Sequence, residues 1–237
     1  MLACLSFSLE TRWAPTQAIP GRFEMMAMNV VPEHELRATG LSCRRGSRAL
    51  FEDLSFDLHP GQWLHVRGAN GAGKTSLLRL LTGLARPHAG MVAWNGVELS
   101  RAGEDYRGAL AYFGHRHAVK DELSALENLR LGAALDGCAL DPRAACAALW
   151  RVGLRGRESL PMRVLSQGQR RRALLARVLV RGASLWVLDE PFAALDTDGV
   201  DMVISLVQEH LRGGGSAVLT SHQPIALPGG CSLELGA

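Results

Sequence analysis

The sequence predicts an α/β fold in which a parallel-sheet core carries an antiparallel β subdomain and a helical lobe. Residues 35–58 alternate apolar and polar side chains on either side of a turn, as in an antiparallel hairpin. Residues 61–68 and 184–190 read as buried strands, and helical patterns dominate between residues 123 and 180. A strand–loop–helix unit, a helical insertion and a final β-α-β unit are typical of a parallel-sheet protein.

The first half of the chain gives clear local signals. The opening hairpin turns at "RRGS", and the strand 61–68 ends in a glycine. "KTSLLRLLTGL" has helical spacing and stops at Gly83, before Pro87. Asn95-Gly96, between two apolar stretches, predicts a second hairpin with a type I′ turn.

The second half reads as helices followed by alternating strands and helices. Helices are predicted in residues 122–135, 141–154 and 167–180, with Trp150 in the core of the helical lobe. A helix over 199–212 and a strand over 216–223 complete the pattern. Three consecutive arginines, Arg170 to Arg172, are interpreted as a solvated or inter-lobe helix face, because they fan around the helix.

Composition restricts the class of protein. A chain of 237 residues with 47% hydrophobic and 21% charged residues suits an ordinary globular α/β protein with a large core. The net charge of +3 is spread among interspersed acidic and basic residues, which argues against a nucleic-acid-binding face. Five cysteines without C-x-x-C indicate neither a disulfide framework nor a zinc site. No apolar run reaches the roughly 18–20 residues that span a bilayer, so a membrane role would require a partner.

Residues 1–33 are predicted to be a disordered or misassigned leader. The stretch is punctuated by proline and glycine, shows no periodicity and contains methionines that could be alternative starts. It lacks the basic n-region of a secretory signal. Residues 34–237 are expected to form the folded domain.

Gly68–Thr75, "GANGAGKT", matches the phosphate-binding pattern G-x-x-x-x-G-K-[ST] between a strand and a helix. Glycine allows backbone N–H groups to curl around phosphate oxygens, and the helix N-terminus adds positive potential. The alternative is a chance glycine-rich turn, which the flanking strand and helix disfavour. The nucleotide-binding residues predicted here are Gly68, Ala69, Asn70, Gly71, Ala72, Gly73, Lys74, Thr75 and Ser76.

Two carboxylates, Asp189 and Glu190, end the apolar strand "SLWVL". Ligands of open α/β sheets bind at this edge, so we expect Lys74 to contact the β- and γ-phosphates of ATP and Thr75 and Asp189 to hold Mg²⁺. Glu190 is expected to polarise the attacking water as a general base. A solvated sheet edge is the alternative interpretation of the two carboxylates.

A polar turn at Leu165–Gln169, "LSQGQ", opens the predicted helix over 167–180 and could form a second anion site. It resembles the signature of ATP-binding-cassette (ABC) ATPases. "FAALD", "LTSHQ" and "LSALENLRL" resemble the D-loop, the switch histidine and the helix after the Q-loop of that superfamily. The resemblance implies a homodimer in which each nucleotide lies between one P-loop and the signature turn of the other subunit. It implies nucleotide contacts in trans from Ser166, Gln167, Gly168, Gln169 and Asp196, and a γ-phosphate contact from His222.

The stretch "YFGHRH" places His115 and His117 on either side of Arg116. A metal or haem site and structural histidines are two interpretations. The resemblance favours a third, since His115 stands where most ABC ATPases carry the Q-loop glutamine, which senses the nucleotide. Protonation of an imidazole there would make activity pH-sensitive. Arg45 lies where an aromatic side chain often stacks on adenine; a guanidinium plane can also stack.

"YFGH" and "LSQGQRRRALLARVLV" together resemble the CcmA family, the ATPase subunit of the haem exporter of cytochrome c maturation. The resemblance implies an ABC ATPase domain over 34–237, with a helical subdomain at about 116–180. It also implies integral-membrane partners of the CcmB and CcmC type and a peripheral position on the cytoplasmic face of the bacterial inner membrane. The role would be haem delivery or release of the haem chaperone.

Three alternatives remain open. The chain could serve another small bacterial ABC exporter, or it could be a soluble, non-transport ABC protein of DNA repair or translation. Repair members carry a long coiled coil and translation members carry two cassettes; this sequence has neither. The third alternative, an ATP-binding module without turnover, is disfavoured by Glu190 and His222.

Overall fold

The computed structural model describes residues 34–114 and 119–236, which fold around two sheets. The strands are β1 (Leu36–Arg45), β2 (Arg48–Leu58), β3 (Trp63–Gly68), β4 (Ala89–Trp94), β5 (Val97–Glu98), β6 (Leu110–Phe113), β7 (Leu185–Leu188), β8 (Ser216–Thr220) and β9 (Gly230–Leu235). The helices are α1 (Lys74–Leu81), α2 (Leu99–Ala109), α3 (Ala125–Leu135), α4 (Pro142–Arg151), α5 (Gln167–Val180) and α6 (Thr197–Arg212).

The smaller sheet is antiparallel, with strand order β2-β1-β4-β5. Its two hairpins are those the sequence predicts. Gly46 turns the first with φ 62°, and Asn95 and Gly96 turn the second with φ 52° and 77°. Both central residues of a type I′ turn need positive φ, which is why Asn-Gly predicts it so well.

The larger sheet is parallel throughout, with order β6-β7-β8-β3-β9. Strands β7 and β8 are buried along their whole length; β7 is accordingly a continuous apolar run, and β8 has an apolar centre between Ser216 and Thr220. Because parallel strands end at the same edge, β3, β7 and β8 deliver the residues that follow them to one place. The predicted α/β class, with parallel core and antiparallel β subdomain, is confirmed.

Two apolar cores lie on the opposite faces of the parallel sheet. Alternate residues of its strands separate between them: Leu185 and Val187 join the core with α1 and the antiparallel sheet, whereas Trp186 and Leu188 join the core with α5 and α6. Alternation of side chains along each strand therefore anchors both layers to one sheet.

Helices α3, α4 and α5 follow one another between β6 and β7 and pack together. Ser124 starts α3 with a capping box to Glu127, and Asp141 caps α4. Leu129 and Leu149 are fully buried where these helices meet the core. In the described ranges, no helix combines the length and the apolar character that crossing a membrane requires.

Three elements and one side chain differ from the sequence-based expectations. Strands β6 and β9 and helix α2 were not predicted; α2 is broken at Gly103, where φ is 51° and ψ is −124°. Trp150 was predicted in the lobe core, and that prediction is wrong, because 46% of it is exposed. Its indole N–H donates to Glu158, and Arg155 lies over its ring at 4.7 Å, so the polar edge of the ring stays at the surface.

Candidate functional site

A glycine-rich segment, residues 68–76, runs from the end of β3 through a loop into the first turn of α1, and it needs glycine for two separate reasons. Gly68, Gly71 and Gly73 have φ values of 140°, 82° and 108°, which other residues rarely adopt. A Cβ on Gly68 would also come within 2.6 Å of the Leu235 carbonyl oxygen, and one on Gly73 within 3.1 Å of the Leu50 side chain. A tightly curved loop of this kind before a helix N-terminus is suited to bind an anion.

Lys74, the first residue of α1, lies under this loop and is only 8% exposed. Its Nζ donates to the Gly68 carbonyl at 2.7 Å and to the Ala69 carbonyl at 3.4 Å. The two carbonyls compensate the buried ammonium group, because a charge removed from water must be hydrogen-bonded. The positive charge is thus held next to the curved backbone.

Asp189, the first residue after β7, is 3% exposed and fully engaged. Its Oδ2 accepts from the Thr75 hydroxyl at 3.1 Å, its Oδ1 accepts from the Thr220 hydroxyl at 2.8 Å, and its N–H donates to the Phe113 carbonyl at 2.7 Å. These contacts join the ends of three neighbouring strands to α1. Thr220 was not singled out from the sequence; its signal is a polar residue that follows the apolar centre of a buried strand and ends that strand.

Glu190 adopts φ 50°, in the left-handed region, and its N–H donates to the Thr220 hydroxyl at 2.7 Å. Its Oε1 is buried, and no described residue donates a hydrogen bond to it. His222 Nε2 lies 3.4 Å from the same oxygen. A buried carboxylate oxygen with acceptor capacity left over, beside an imidazole, is suited to receive a hydrogen bond from a water molecule or a nucleotide group.

Lys74, Asp189, Glu190 and His222 line one cavity of about 360 Å³, which Arg45 and Leu50 also line. The Thr75 hydroxyl donates to the Asp189 carboxylate at the wall of this cavity. Oxygen ligands of this kind are those Mg²⁺ prefers. Within the described ranges no cluster of three or more His, Cys, Asp or Glu side chains could hold a metal by itself. A magnesium ion that takes only these two protein ligands plus phosphate and water oxygens fits this donor set.

The turn at Leu165–Gln169 is built differently. Ser166 is exposed and caps α5: its hydroxyl accepts from Gln169 N–H at 3.2 Å, and its own N–H donates to the Gln169 side chain at 3.0 Å. This reciprocal pair is a capping box. A Cβ on Gly168 would come within 2.9 Å of the Ala194 carbonyl oxygen, so α5 approaches the segment after Glu190 too closely for a side chain.

Asp196 caps α6 and accepts from the Gly199 N–H at 3.0 Å. That hydrogen bond, together with the positive charge of Arg172, holds the pKa of Asp196 below its usual value. Arg172 pairs with the same carboxylate at 2.5 Å. This carboxylate therefore stays ionised at the start of α6, where a negative charge is favourable.

Arg171 turns inward rather than toward solvent. It donates to the carbonyl oxygens of Asp189, Glu190 and Pro191 and lies over the Phe113 ring at 4.9 Å. Burial lowers the pKa of its guanidinium. Of the two interpretations of this helix face, the solvated one is wrong for Arg171 and the inter-lobe one is right, because Arg171 joins α5 of the helical lobe to the segment after β7 and to Phe113 of β6.

The ABC transporter family model matches residues 51–193. A cytochrome c biogenesis ATP-binding export protein CcmA from Nitrosospira multiformis is 52% identical, with 82% of this chain and 94% of that protein covered. The CcmA protein of Nitrosomonas europaea is 48% identical, with 83% and 92% covered. The chain belongs to the CcmA family of ABC transporters.

As a member of the CcmA family the chain is an ABC-type ATPase, and the predicted family is confirmed. The fold comparison agrees. A putative ABC transporter ATP-binding protein from Pyrococcus furiosus has a TM-score of 0.75 and 25% identity, with 85% of this chain and 97% of that chain covered.

The structure gathers some of the predicted site residues of this CcmA-family chain and leaves others apart. Residues of the loop, Asp189, Glu190 and His222 share the cavity. Neither the signature turn, residues 166–169, nor Asp196 lines it. His115, with Arg116 and His117, falls outside the described residues, so its predicted role stays a prediction.

Proposed function

We propose that this chain is the ATP-hydrolysing subunit of the haem exporter that acts in c-type cytochrome biogenesis. Relatives at 48% and 52% identity are named cytochrome c biogenesis ATP-binding export proteins. The proposal includes integral-membrane permease partners of the CcmB and CcmC type and a peripheral position on the cytoplasmic face of the bacterial inner membrane. Its work would be haem delivery or release of the haem chaperone.

One observation carries the proposal: the glycine-rich loop, the buried lysine and the Thr75–Asp189 and Glu190–His222 pairs face a single cavity. Each group alone has a structural explanation. Together they supply what transfer of a γ-phosphoryl group to water requires, namely an anion cradle, a positive charge, metal ligands and a base.

Binding follows from the charges. The triphosphate of ATP would lie on the backbone of residues 68–76, and the Lys74 ammonium would exchange its bonds to the Gly68 and Ala69 carbonyls for bonds to the β- and γ-phosphates. Thr75 and Asp189 would hold Mg²⁺, which neutralises charge that develops on the phosphates. The loop is already curved in this conformation, so little ordering is needed when the nucleotide binds.

Hydrolysis would use the open acceptor oxygen of Glu190. That carboxylate would orient and polarise the attacking water, and His222, 3.4 Å away, would contact the γ-phosphate. The fixed backbone of Glu190, with its N–H on Thr220, orients the base before the substrate arrives.

The second half of the site would come from another copy of the chain. Ser166, Gln167, Gly168, Gln169 and Asp196 lie outside the nucleotide cavity of their own subunit. In a head-to-tail homodimer they would close over the nucleotide of the partner subunit, so ATP would hold the two copies together and hydrolysis would release them.

Replacement of Glu190 by glutamine tests the chemistry. We expect Glu190→Gln to bind ATP and to lose phosphate release by about 100-fold or more, because an amide cannot act as the base that typically contributes about 10²–10⁴-fold. Glu209→Gln is the matched control, since Glu209 lies on α6 and pairs only with Arg151 in the described ranges. Unchanged phosphate release in Glu190→Gln would contradict the catalytic assignment.

The role of His115 has its own test. If His115 replaces the Q-loop glutamine, His115→Gln should change the dependence of kcat on pH near neutrality, because an imidazole titrates there and an amide does not. Identical pH–rate profiles for His115→Gln and the parent would remove the role.

The cargo assignment depends on the membrane partners. A tagged chain purified from detergent-solubilised membranes should carry permease subunits of the CcmB and CcmC type. Recovery with the permease of a different exporter, and without these subunits, would contradict the haem-export role and leave the ATPase assignment intact.

A further inference from the structure

We propose that Arg171 is a positioning residue for ATP hydrolysis, which fixes the backbone of the catalytic Glu190 and joins it to the helix that begins at the signature turn. The inference rests on the proposed function, and it assigns the positioning of Glu190 to a residue that does not contact the nucleotide itself. Arg171 lies on α5, whereas Glu190 follows β7, so the residue connects two elements that are separated in the sequence.

The guanidinium group of Arg171 donates hydrogen bonds to three consecutive carbonyl groups. Its Nη2 donates to the Asp189 carbonyl at 3.2 Å and to the Glu190 carbonyl, and its Nε reaches the Pro191 carbonyl at 3.4 Å. The planar fork of arginine can reach several acceptors at once, which a lysine ammonium on a flexible stem does less well. The backbone of residues 189–191, which carries the catalytic carboxylate, is thus held by hydrogen bonds from Arg171.

That backbone needs support. Glu190 has φ 50°, a conformation that a residue with a Cβ adopts rarely and that persists only where the surroundings hold it. One support is the hydrogen bond from its N–H to the Thr220 hydroxyl. Arg171 holds the other side of the residue, through the carbonyl. Loss of this support would let the Glu190 carboxylate move, and small displacements of a base reduce catalysis strongly.

The other face of the Arg171 side chain lies on Phe113, the last residue of β6. Phe113 is 1% exposed, and its carbonyl accepts from the Asp189 N–H at 2.7 Å. The guanidinium is therefore held between a fixed aromatic ring and the carbonyls of the catalytic loop. Its position is determined on both sides, as a positioning group requires.

Helix α5 makes two more contacts with the same segment. Gly168 in its first turn lies against the Ala194 carbonyl, and Arg172 pairs with Asp196. The signature turn and the segment over residues 189–196 are joined at successive points of one rigid helix. A nucleotide that engages the turn of this subunit can then affect the Glu190 of the same subunit, whose own nucleotide lies at the other site of the dimer.

The neighbouring Arg170 provides a matched control. Its Nη1 pairs with Asp121 at 3.2 Å and its Nε donates to the Leu165 carbonyl at 3.3 Å, both away from the catalytic loop. Arg170→Met and Arg171→Met remove the same charge and the same hydrogen-bond donors from adjacent positions on one helix. Only the second removes the support of Glu190.

Steady-state ATP hydrolysis and equilibrium binding of a fluorescent ATP analogue should separate these variants. Arg171→Met is expected to lower kcat by up to about 100-fold while KM and the Kd of the analogue change less than about twofold, because the cradle is untouched. Arg171→Lys should recover part of kcat, and Arg170→Met should retain it. If Arg171→Met keeps the parental kcat, or if it loses ATP binding as much as turnover, the positioning role is wrong.

Should Arg171→Met not fold, as judged by circular dichroism, Arg171→Lys carries the same test: kcat reduced and KM unchanged. A parental kcat, or equal losses in kcat and binding, in this variant would overturn the role as well.

Mixed dimers test which active site the arginine serves. Ser166→Arg is expected to block the signature turn and to be inactive alone. Mixed with Arg171→Met, it would form a dimer in which one site has an intact cradle, an intact Glu190 with its arginine, and an unblocked turn. Recovery of hydrolysis on mixing supports a role within the subunit; no recovery contradicts it. A fully active Ser166→Arg would instead contradict the homodimer of the proposed function.

Discussion

The glycine-rich loop with its carboxylates and the signature turn are both polar regions next to a helix N-terminus, yet they are built in opposite ways. The loop side is a cavity in which Lys74 and Asp189 are buried. The turn is exposed, and Ser166 is occupied by the capping box with Gln169. One region is ready to receive a ligand, whereas the other satisfies its own hydrogen bonds and does not line the nucleotide cavity of its own subunit.

The difference supports the proposal that one copy of this chain holds only half of a site. Buried charges need partners, so the cavity side is fixed in the folded monomer by bonds to carbonyls and hydroxyls. The capping box of the turn can be exchanged for contacts with phosphate at small cost, since a cap contributes only about 0.5–2 kcal/mol. A stable half and an adaptable half suit a dimer that closes and opens with each ATP.

The largest effect should come from the cradle. Lys74→Ala removes the buried ammonium, and we expect kcat/KM for ATP to fall by about 10²–10³-fold, as for loss of one preorganised donor. Lys120→Ala, which changes the other lysine of the chain, should be neutral because Lys120 is exposed. The measurement is coupled-enzyme ATPase kinetics; a Lys74→Ala variant within twofold of the parent would refute the cradle.

A change remote from both regions tests the stability of the fold without touching either one. His210 stacks on Trp186 at 4.0 Å, and burial lowers its pKa to about 4. Since this value lies below the usual 6.5 of the unfolded chain, the neutral ring favours the fold, and the contribution of roughly 3 kcal/mol is lost as the pH falls from about 6.5 toward 4. Urea unfolding of the parent and of His210→Phe should show a smaller pH dependence in the variant; equal dependences would refute the assignment.

A third change weakens the carboxylate side of the cavity without altering a predicted ligand. Thr220 donates to Asp189 and accepts from the Glu190 N–H, so Thr220→Val leaves two buried groups without their partner. We expect the free energy of unfolding to drop by about 1–3 kcal/mol and kcat to fall with it. Thr82→Val, which loses one bond to the Arg79 carbonyl, should cost less. Equal losses of stability in the two variants would contradict the network around Asp189.

The smallest effect should appear at the signature turn. A methyl group on Gly168 would press on the Ala194 carbonyl 2.9 Å away. Overpacking costs about 1–3 kcal/mol, so Gly168→Ala should weaken ATP-dependent dimerisation about tenfold and leave ATP binding to the monomer intact. Gly108→Ala adds a methyl group with no neighbour within 4 Å and is the control. Sedimentation with and without ATP measures the dimerisation of both variants. Unchanged dimerisation in Gly168→Ala would contradict a role of the signature turn in the dimer.

The sequence predicted best what depends on neighbouring residues. The Asn95-Gly96 turn and the glycine-rich loop follow from local backbone rules. Strand β9 was missed because it is a short edge strand and mostly exposed, although Cys231, Leu233 and Leu235 alternate with polar residues. Helix α2 was missed because of the break at Gly103.

The candidate site shows the same division. The glycine-rich loop and the Asp189-Glu190 pair are motifs of adjacent residues, so the sequence alone identifies them. The hydrogen bonds of Thr220 and Arg171 join residues 18 to 31 positions apart in the sequence, and only tertiary packing brings them together. Trp150 was misplaced because helical periodicity does not show that Glu158 and Arg155 hold its ring at the surface.

The shared nucleotide site can be tested directly by crosslinking. Chains carrying Asn70→Cys and chains carrying Gln167→Cys, both with Glu190→Gln and with the exposed Cys138 and Cys231 changed to serine, would be mixed with magnesium and ATP. We predict a disulfide between the loop of one chain and the signature turn of the other, formed with ATP and absent without it. No crosslink with ATP, or equal crosslinking without nucleotide, would contradict a site built from two copies.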